Sequence, residues 1–579
     1  MVMKLTKAQK EFINKNIEGS TASKLANKLD VKKRLVDKYI VSAGLSNKKK
    51  QKKIKRKEKV PYIKLMSLME LFTFWKNHWF VLVGIACITF LAYANSLKGD
   101  FISDDIAIYI NNPMTKSLIN SLKTLEVTQI LHALNYHFFG ENPLPSHVTS
   151  IVTHVFVAGL GFTVLTNFFS RKVSLLATLL FILHPANVEA ITWVSGRVYP
   201  IIAIYTLLTI LFYILYKNSK KYIYLIVATI MYIIASITTN VAQILIILPI
   251  IAVIDQFFLE YRIKIKSWLN FLPFVLSSGG FVYYLLSQER LINRIQETGT
   301  TVEKATPYIT RFGYSIYKAL VLLFYPVRLS LYHDAETITQ TTLRWMFILT
   351  VALFIIIVGL WKKNRKATGL ILIGIASILY MISPYQVAWF IAERYLYIAT
   401  LCFTTLIAII FVNIEKRYRI KQLALIMTLL VAGLYSTRVI TRNNDWQTRK
   451  TLWESTRNAY PKSARTYNNL GDVYAEDGEM DRAIEAFEKA IELNPTYADA
   501  LHNLGFTYLK TGDLEKAEEY FEKTIVINPN IPQAYYHLGI VKYELGDKQK
   551  TLEHFEKALE IQPDYKNALM GVERVKSEL

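Results

Sequence analysis

At 579 residues, with 52% hydrophobic and 13% aromatic side chains and a net charge of +23, the chain is too long and too apolar to be one soluble domain. The charge is unevenly spread, since residues 1–64 hold 20 Lys or Arg against 5 Asp or Glu, a local +15. Both cysteines, Cys87 and Cys402, fall in apolar runs, which excludes a disulfide framework and a CxxC metal or redox motif.

The first 60 residues are polar, so no cleavable signal is expected. Amphipathic "KAQKEFINKNI", followed by "TASKLANKLDVKKRLVDKYI" with a break near Asp30, predicts a small basic helix-turn-helix-like domain over 1–47. Two readings of it stay open. Lys32, Lys33 and Arg34 would touch nucleic acid, or the domain would dock on an anionic membrane surface or another protein. The stretch "NKKKQKKIKRKEK" has no apolar pattern and predicts a basic linker over 48–64.

Residues 65–443 contain apolar runs of about 17 to 25 residues, each able to cross a ~30 Å hydrocarbon core. Eleven are counted, at 75–95, 147–168, 173–192, 198–216, 222–238, 241–257, 268–287, 344–361, 367–384, 394–413 and 422–440. The shorter "FGYSIYKALVLLFYP" at 312–326 is read as re-entrant or interfacial, because counting it as a span would put "WKKNRK" on the wrong side. Basic loops at 171, 217, 261, 361 and 415 then lie inside with the N-terminus, and the C-terminus lies outside. The expectation is a multi-pass protein of the cell (inner or cytoplasmic) membrane, with a cytoplasmic N-terminus.

In the outer loop 97–146, "GDFISDDIAIYINNP" sets Asp104 and Asp105 side by side at the membrane boundary, where an ionised carboxylate is cheap. In one reading Ser103, Asp104 and Asp105 cap the short helix "IAIYI"; in the other they mark a site. Adjacent helical residues diverge by roughly 100°, so one of the pair would enter any site while the other caps or orients. Further polar groups gather at the same boundary. They are His147 and His154, "HPANVEAITWVSGR" from His184 through Glu189 to Arg197, "YPVRLSLYHD", and "FIAERYLY" with Glu393 and Arg394. His147 and His154 are seven apart, poor spacing for chelating one ion, so interhelical hydrogen bonding is favoured over a metal. Arg394 would pair internally or bind an anionic headgroup. A transporter would place such groups at the midplane instead.

Residues 444–579 are repetitive. Gly471, Gly505 and Gly539 are 34 apart, as are Pro461, Pro495, Pro529 and Pro563. This is the period of a tetratricopeptide superhelix, with Gly where paired helices touch and Pro where the second helix ends. Such superhelices present a groove to peptides or partner proteins and are not catalytic by themselves.

In order, "FISDDIAIYINNP", "LNYHFFGENPLPSHVTSIVTH", "HPANVEAITWVSGR", "YPVRLSLYHD", "AERYLYIAT" and "DWQTRKTLWESTRNAYPKSARTYNNLG" lead into the repeats. Over residues 75–579 this set resembles the transmembrane and tetratricopeptide repeat-containing O-mannosyltransferases and their bacterial relatives, of the GT-C glycosyltransferase superfamily. The resemblance implies an all-α fold, with a GT-C-like membrane helix bundle at 65–443 and the superhelix at 444–579. It implies transfer of mannose or another hexose from a polyprenyl phosphate to a hydroxyl on protein, at the extracytoplasmic face and with inversion. Asp104 or Asp105 would be the catalytic carboxylate and Arg394 and Arg197 the donor-phosphate ligands, with His147, His154, His184, Glu189 and Glu393 in support. No cofactor is certain, and a divalent metal stays open. The repeats would hold the protein acceptor or a partner. The chain departs from the family's pattern at "EVTQILHALNY", where an Arg-Pro is common, and at "TTNVAQ" around Asn240, where a Lys-Glu pair is common, so the sugar stays open. The alternative is a catalytically silent scaffold, or a membrane-tethered DNA-binding regulator that uses its repeats for protein binding.

Overall fold

The computed structural model describes residues 5–16, 22–31, 33–43, 66–238, 244–259, 269–286, 308–331, 333, 339–379 and 391–578. Every regular element among them is helical. The chain divides into two units, Met1–Lys64 and Leu65–Leu579.

In the first unit, α1 (Lys7–Asn16), α2 (Ala22–Lys28) and α3 (Lys33–Ser42) close over Leu5, Ile13, Leu25, Ala26 and Val36. The turn after α2 contains Asp30 at φ 47°, a left-handed conformation that Asp tolerates better than most side chains. Lys33 and Arg34 open α3, while Lys32 and the linker 48–64 lie outside the described residues.

The second unit begins with α4 (Leu68–Tyr93), started by a capping box in which Ser67 and Glu70 satisfy each other's backbone N–H. Two short helices of the loop, α5 (Leu118–Thr124) and α6 (Val127–Phe139), lead to α7 (Pro143–Thr166). The chain then runs through α8 (Arg171–Ile182), α9 (Val188–Thr192), α10 (Val198–Ser219), α11 (Tyr222–Thr238), α12 (Ile244–Ile254), α13 (Leu272–Leu286), α14 (Tyr308–Phe324), α15 (Gln340–Lys363), α16 (Arg365–Ala376), α17 (Tyr397–Tyr418) and α18 (Leu423–Asp445).

Six helices among the described residues are long and apolar enough to cross a membrane, or seven if α8 and α9, bent by 57°, form one broken span. The protein is therefore a multi-pass membrane protein. Each of the eleven apolar runs carries a helix. Five of these helices are short or broken: α8 stops at the His184–Pro185 step, α11 has 17 residues, and the runs of α12, α13 and α16 extend past the described residues. The 312–326 run falls in α14, whose Tyr314 hydroxyl donates to the His333 carbonyl (3.0 Å) and whose Leu323 carbonyl accepts from His184 Nε2 (3.1 Å).

Polar contacts sort the bundle into two faces. On one, the end of α4 meets the end of α18, where Asp100 N–H donates to the Gln447 carbonyl (2.9 Å) and Asn443 donates to Ala92 (3.0 Å). On the other lie the Lys172–Glu415 pair, the Lys217–Asp255 pair (2.7 Å) and Lys366 donating to the Phe168 carbonyl.

Beyond α18, α19 (Arg449–Ala459) leads into three helix pairs and a last helix: α20 (Ala464–Glu476) with α21 (Met480–Leu493), α22 (Ala498–Thr511) with α23 (Leu514–Ile527), α24 (Pro532–Glu544) with α25 (Lys548–Ile561), and α26 (Lys566–Glu578). At Gly471, Gly505 and Gly539 a Cβ would lie 2.6, 3.1 and 2.6 Å from a Phe ring of the paired helix, which is why the repeat needs glycine there. One apolar core runs from Leu71 through Trp446, Leu452 and Trp453 to Phe487 and Phe521.

Candidate functional site at the membrane boundary

After α4 the chain turns at Ser103, held at φ 52°, and the next two residues part company. Asp104 is exposed and has no hydrogen-bond or ionic partner among the described residues. Asp105 is 1% exposed. Its Oδ1 accepts from the Ser195 backbone N–H (2.8 Å) and from the Ser195 hydroxyl, and its Oδ2 accepts from the Ile102 N–H (3.2 Å). Burial pushes the Asp105 carboxyl up to about 7, against the pull of these hydrogen bonds and of the Arg197 charge. Neither aspartate caps the following wide turn Ile106–Ile110 with its side chain.

Ser195 and Arg197 come from the single turn that starts α10. Gly196 between them presses on α9, where a Cβ would lie 2.5 Å from the Glu189 carbonyl oxygen. Arg197 is fully buried; Nε donates to Ser150 Oγ (3.0 Å), Nη2 donates to the Ser146 carbonyl, and Nη1 has no partner. Around this centre stand His147, whose Nε2–H donates to the Gly99 carbonyl (3.0 Å), and Tyr109, whose ring meets His132 edge-on at 5.8 Å. Burial, helped by the Arg197 charge, pushes His132 down to about 3, so it is a neutral imidazole.

A second group adjoins through α9. Glu189 takes the Arg394 guanidinium on one oxygen and the Arg394 backbone N–H (2.9 Å) on the other. Arg394 also lies over the Trp193 ring (5.2 Å) and the Tyr395 ring (4.9 Å), and it lines a cavity of about 20 Å³ with Tyr199, Ile202, Ile246 and Ile398. Glu393 belongs to a third group, in which Oε1 accepts from the Ser330 N–H, from His333 Nε2 (3.3 Å) and from Arg442 (3.3 Å). Arg442 also donates to Asp445 (3.1 Å) and lies over Trp446 (5.5 Å), which stacks on Trp193. Buried carboxylates and guanidiniums are thus matched, as burial in low dielectric demands.

The remaining histidines make structural bonds. His154 Nε2–H donates to the Ile182 carbonyl (3.4 Å), so Nδ1 accepts from the Tyr397 hydroxyl. His184 Nδ1 accepts from Ala186 N–H (3.2 Å) and turns the chain between α8 and α9. Among the described residues no three His, Cys, Asp or Glu side chains converge as a metal site.

The structure therefore brings together Asp105 and Arg197, with His147 beside them, and separately Glu189 and Arg394. It sets His154 and His184 apart from both groups, and of "YPVRLSLYHD" it leaves Tyr332 and Asp334 outside the described residues. Sequence reasoning missed Ser195, Tyr109, His132, His333 and Arg442. Ser195 stands inside a motif already singled out, and only its partner 90 residues away reveals its part.

The tetratricopeptide repeat family model matches residues 462–527 and 496–564. A Caenorhabditis elegans protein O-mannosyl-transferase is 26% identical over 454 residues, covering 72% of this chain and 63% of the relative. The human protein O-mannosyl-transferase TMTC3 is 23% identical over 463 residues, covering 70% and 50%. The chain resembles the tetratricopeptide-repeat protein O-mannosyl-transferases. It spans between half and two thirds of the length of these relatives. Among solved structures, the crystal structure of the MamA protein is 25% identical over 24% of this chain and 76% of its own, with a TM-score of 0.22.

Proposed function

We propose that the protein is an extracytoplasmic glycosyltransferase that moves a hexose from a polyprenyl phosphate to a hydroxyl of a protein acceptor. The observation that carries this reading is the split of the aspartate pair, one exposed and unpartnered and the other buried on the segment that holds Arg197.

In this reading Asp104 is the base. A base must reach an incoming hydroxyl, and Asp104 stands free at the mouth, whereas Asp105 spends its oxygens on Ser195 and Ile102. Asp105 is a positioning residue that fastens the loop to the turn of Ser195 and Arg197. The acceptor oxygen forms a bond to the anomeric carbon and the carbon–oxygen bond to phosphate breaks. The electron pair leaves with the lipid phosphate, and the hydroxyl proton passes to Asp104. Attack opposite the leaving group inverts the anomeric centre. Arg394, which lines a narrow cavity among apolar residues of α10, α12 and α17, and Arg197, with its unused Nη1, supply charge for the leaving phosphate, since guanidinium matches phosphate oxygens. The repeats hold the acceptor protein or a partner.

The test is transfer by the full-length protein in nanodiscs from labelled polyprenyl-phosphate mannose and glucose to envelope proteins. Asp104→Asn is expected to abolish transfer with an unchanged melting temperature, and Asp105→Asn to lower both. Transfer that survives Asp104→Asn removes it as base, and no transfer by well-folded wild type from any donor defeats the enzyme reading.

A further inference from the structure

The loop that carries Asp105 is built inside out. On α6 the side turned to the protein is polar, with Thr128, Gln129, His132 and Asn135 buried. These side chains are engaged there: Gln129 donates to Thr115 (3.0 Å) and Ser121 (3.3 Å), and Asn135 donates to Ser146 (3.3 Å) and Thr149 (3.2 Å). The side turned away is apolar. Leu131 and Leu134 are half-buried, and Phe138 and Phe139 are 69% and 56% exposed. Leu131, Leu134 and Phe138 stand at i, i+3 and i+7, one stripe of a helix. On α5 the pattern repeats, with Ser121 buried and Ile119 and Leu122 exposed by 71% and 50%.

A helix that faces water buries its apolar stripe and shows its polar one; both loop helices do the reverse, so the medium against their outer side is apolar. The occupant follows from where the loop starts and ends. It joins the span ending at Lys98 to the span starting at Pro143, and Val152 and Phe156 on α7, 50% and 54% exposed, carry the same apolar surface into the bundle. Charged groups of the segment sit off the stripe, with Lys116, Lys123 and Glu141 exposed and Glu126 half-buried at the start of α6; long basic side chains there can reach headgroups.

We propose that α5 and α6 lie along the membrane with their outer faces embedded among the acyl chains of the leaflet on the Asp105 side. The polar underside of α6, with His132 against Tyr109, then walls the Asp105 centre from lipid, and the site lies at headgroup depth. The proposal stands whether or not the protein transfers sugar.

The experiment uses the full-length protein in liposomes, with Cys87→Ser as background. Phe138→Cys or Leu122→Cys is labelled with an environment-sensitive nitrobenzoxadiazole dye, and Val526→Cys, 81% exposed on a repeat helix, serves as the water-facing reference. At 138 and 122, spin-labelled phospholipid is expected to quench severalfold more than at 526, and aqueous iodide severalfold less. Iodide quenching at both sites equal to that at 526 overturns the proposal, since the face is then in water. Protection from both quenchers overturns it as well, since protein then covers the face. Should Phe138→Cys fail to fold, Leu122→Cys alone carries the same readout.

Discussion

At Asp105 three hydrogen bonds favour the ion and burial favours the acid, and burial wins, setting the carboxyl at about 7. The unfolded chain titrates the same group near about 3.9. Between these values the folded protein keeps a proton that the unfolded chain has lost, so this group's contribution to stability declines as pH rises from about 4 to about 7 and is level above. Asp105→Asn is expected to flatten that slope in melting temperatures measured from pH 4 to pH 8; an unchanged slope would mean that Asp105 titrates normally. Gly196 makes a second prediction at this scale. A Cβ there meets the Glu189 carbonyl at 2.5 Å, and the obstacle is backbone. Gly196→Ala is expected to cost about 1–3 kcal/mol by overpacking and to pull Ser195 from Asp105. At Gly84, inside α4, nothing lies within 4 Å, and Ala there is expected to gain up to about 1 kcal/mol from helix propensity. Thermal unfolding of the two variants side by side checks both signs.

Among the elements, the repeats depend on glycine meeting phenylalanine: Gly471 against Phe487, Gly505 against Phe521, and Gly539 and Gly571 on two sides of Phe555. Gly471→Ala alone is expected to destabilise the first pair by about 1–3 kcal/mol. Combined with Phe487→Leu, which makes room, it is expected to cost less than the two single changes summed, as touching residues couple; strict additivity in the double-mutant cycle would mean that the glycine is not there for closeness. These elements were legible in the sequence because their signals are local and periodic. The 34-residue spacing announces the helix pairs, and every one of the eleven apolar runs carries a helix. The site was legible only as a set of motifs. Glu189 and Arg394 are 205 residues apart and Asp105 and Ser195 are 90 apart, distances over which no periodicity speaks. Asp104 and Asp105 are indistinguishable as letters, and the turn at Ser103 with the packing of α10 sets one outside and one inside.

In the molecule as a whole, the repeats are fastened to the charged layer of the membrane core rather than hung from a linker. Arg449 and Lys450 on α19 pair with Glu476 and Glu479 at the first repeat. Just beyond α19, Tyr460, 5% exposed, donates its hydroxyl to His333 Nδ1 (3.1 Å), and Lys318 lies 5.6 Å over its ring. His333 Nε2–H donates in turn to Glu393, which also receives Arg442. Removing the hydroxyl leaves a buried imidazole nitrogen without its donor, at a cost of about 1–3 kcal/mol. Because later repeats touch mainly their neighbours, the loss should open the junction locally and leave the far end closed. Tyr460→Phe is therefore expected to speed amide hydrogen exchange in α19, α20 and residues 325–331 while α24, α25 and α26 keep wild-type protection. Tyr543→Phe, whose hydroxyl bonds exposed Glu578, is the control and should leave the junction unchanged. Even acceleration along all the repeats would mean that the superhelix opens as one body, and no change would mean that the apolar contacts of Leu452 and Trp453 hold the junction without the Tyr460–His333 bond.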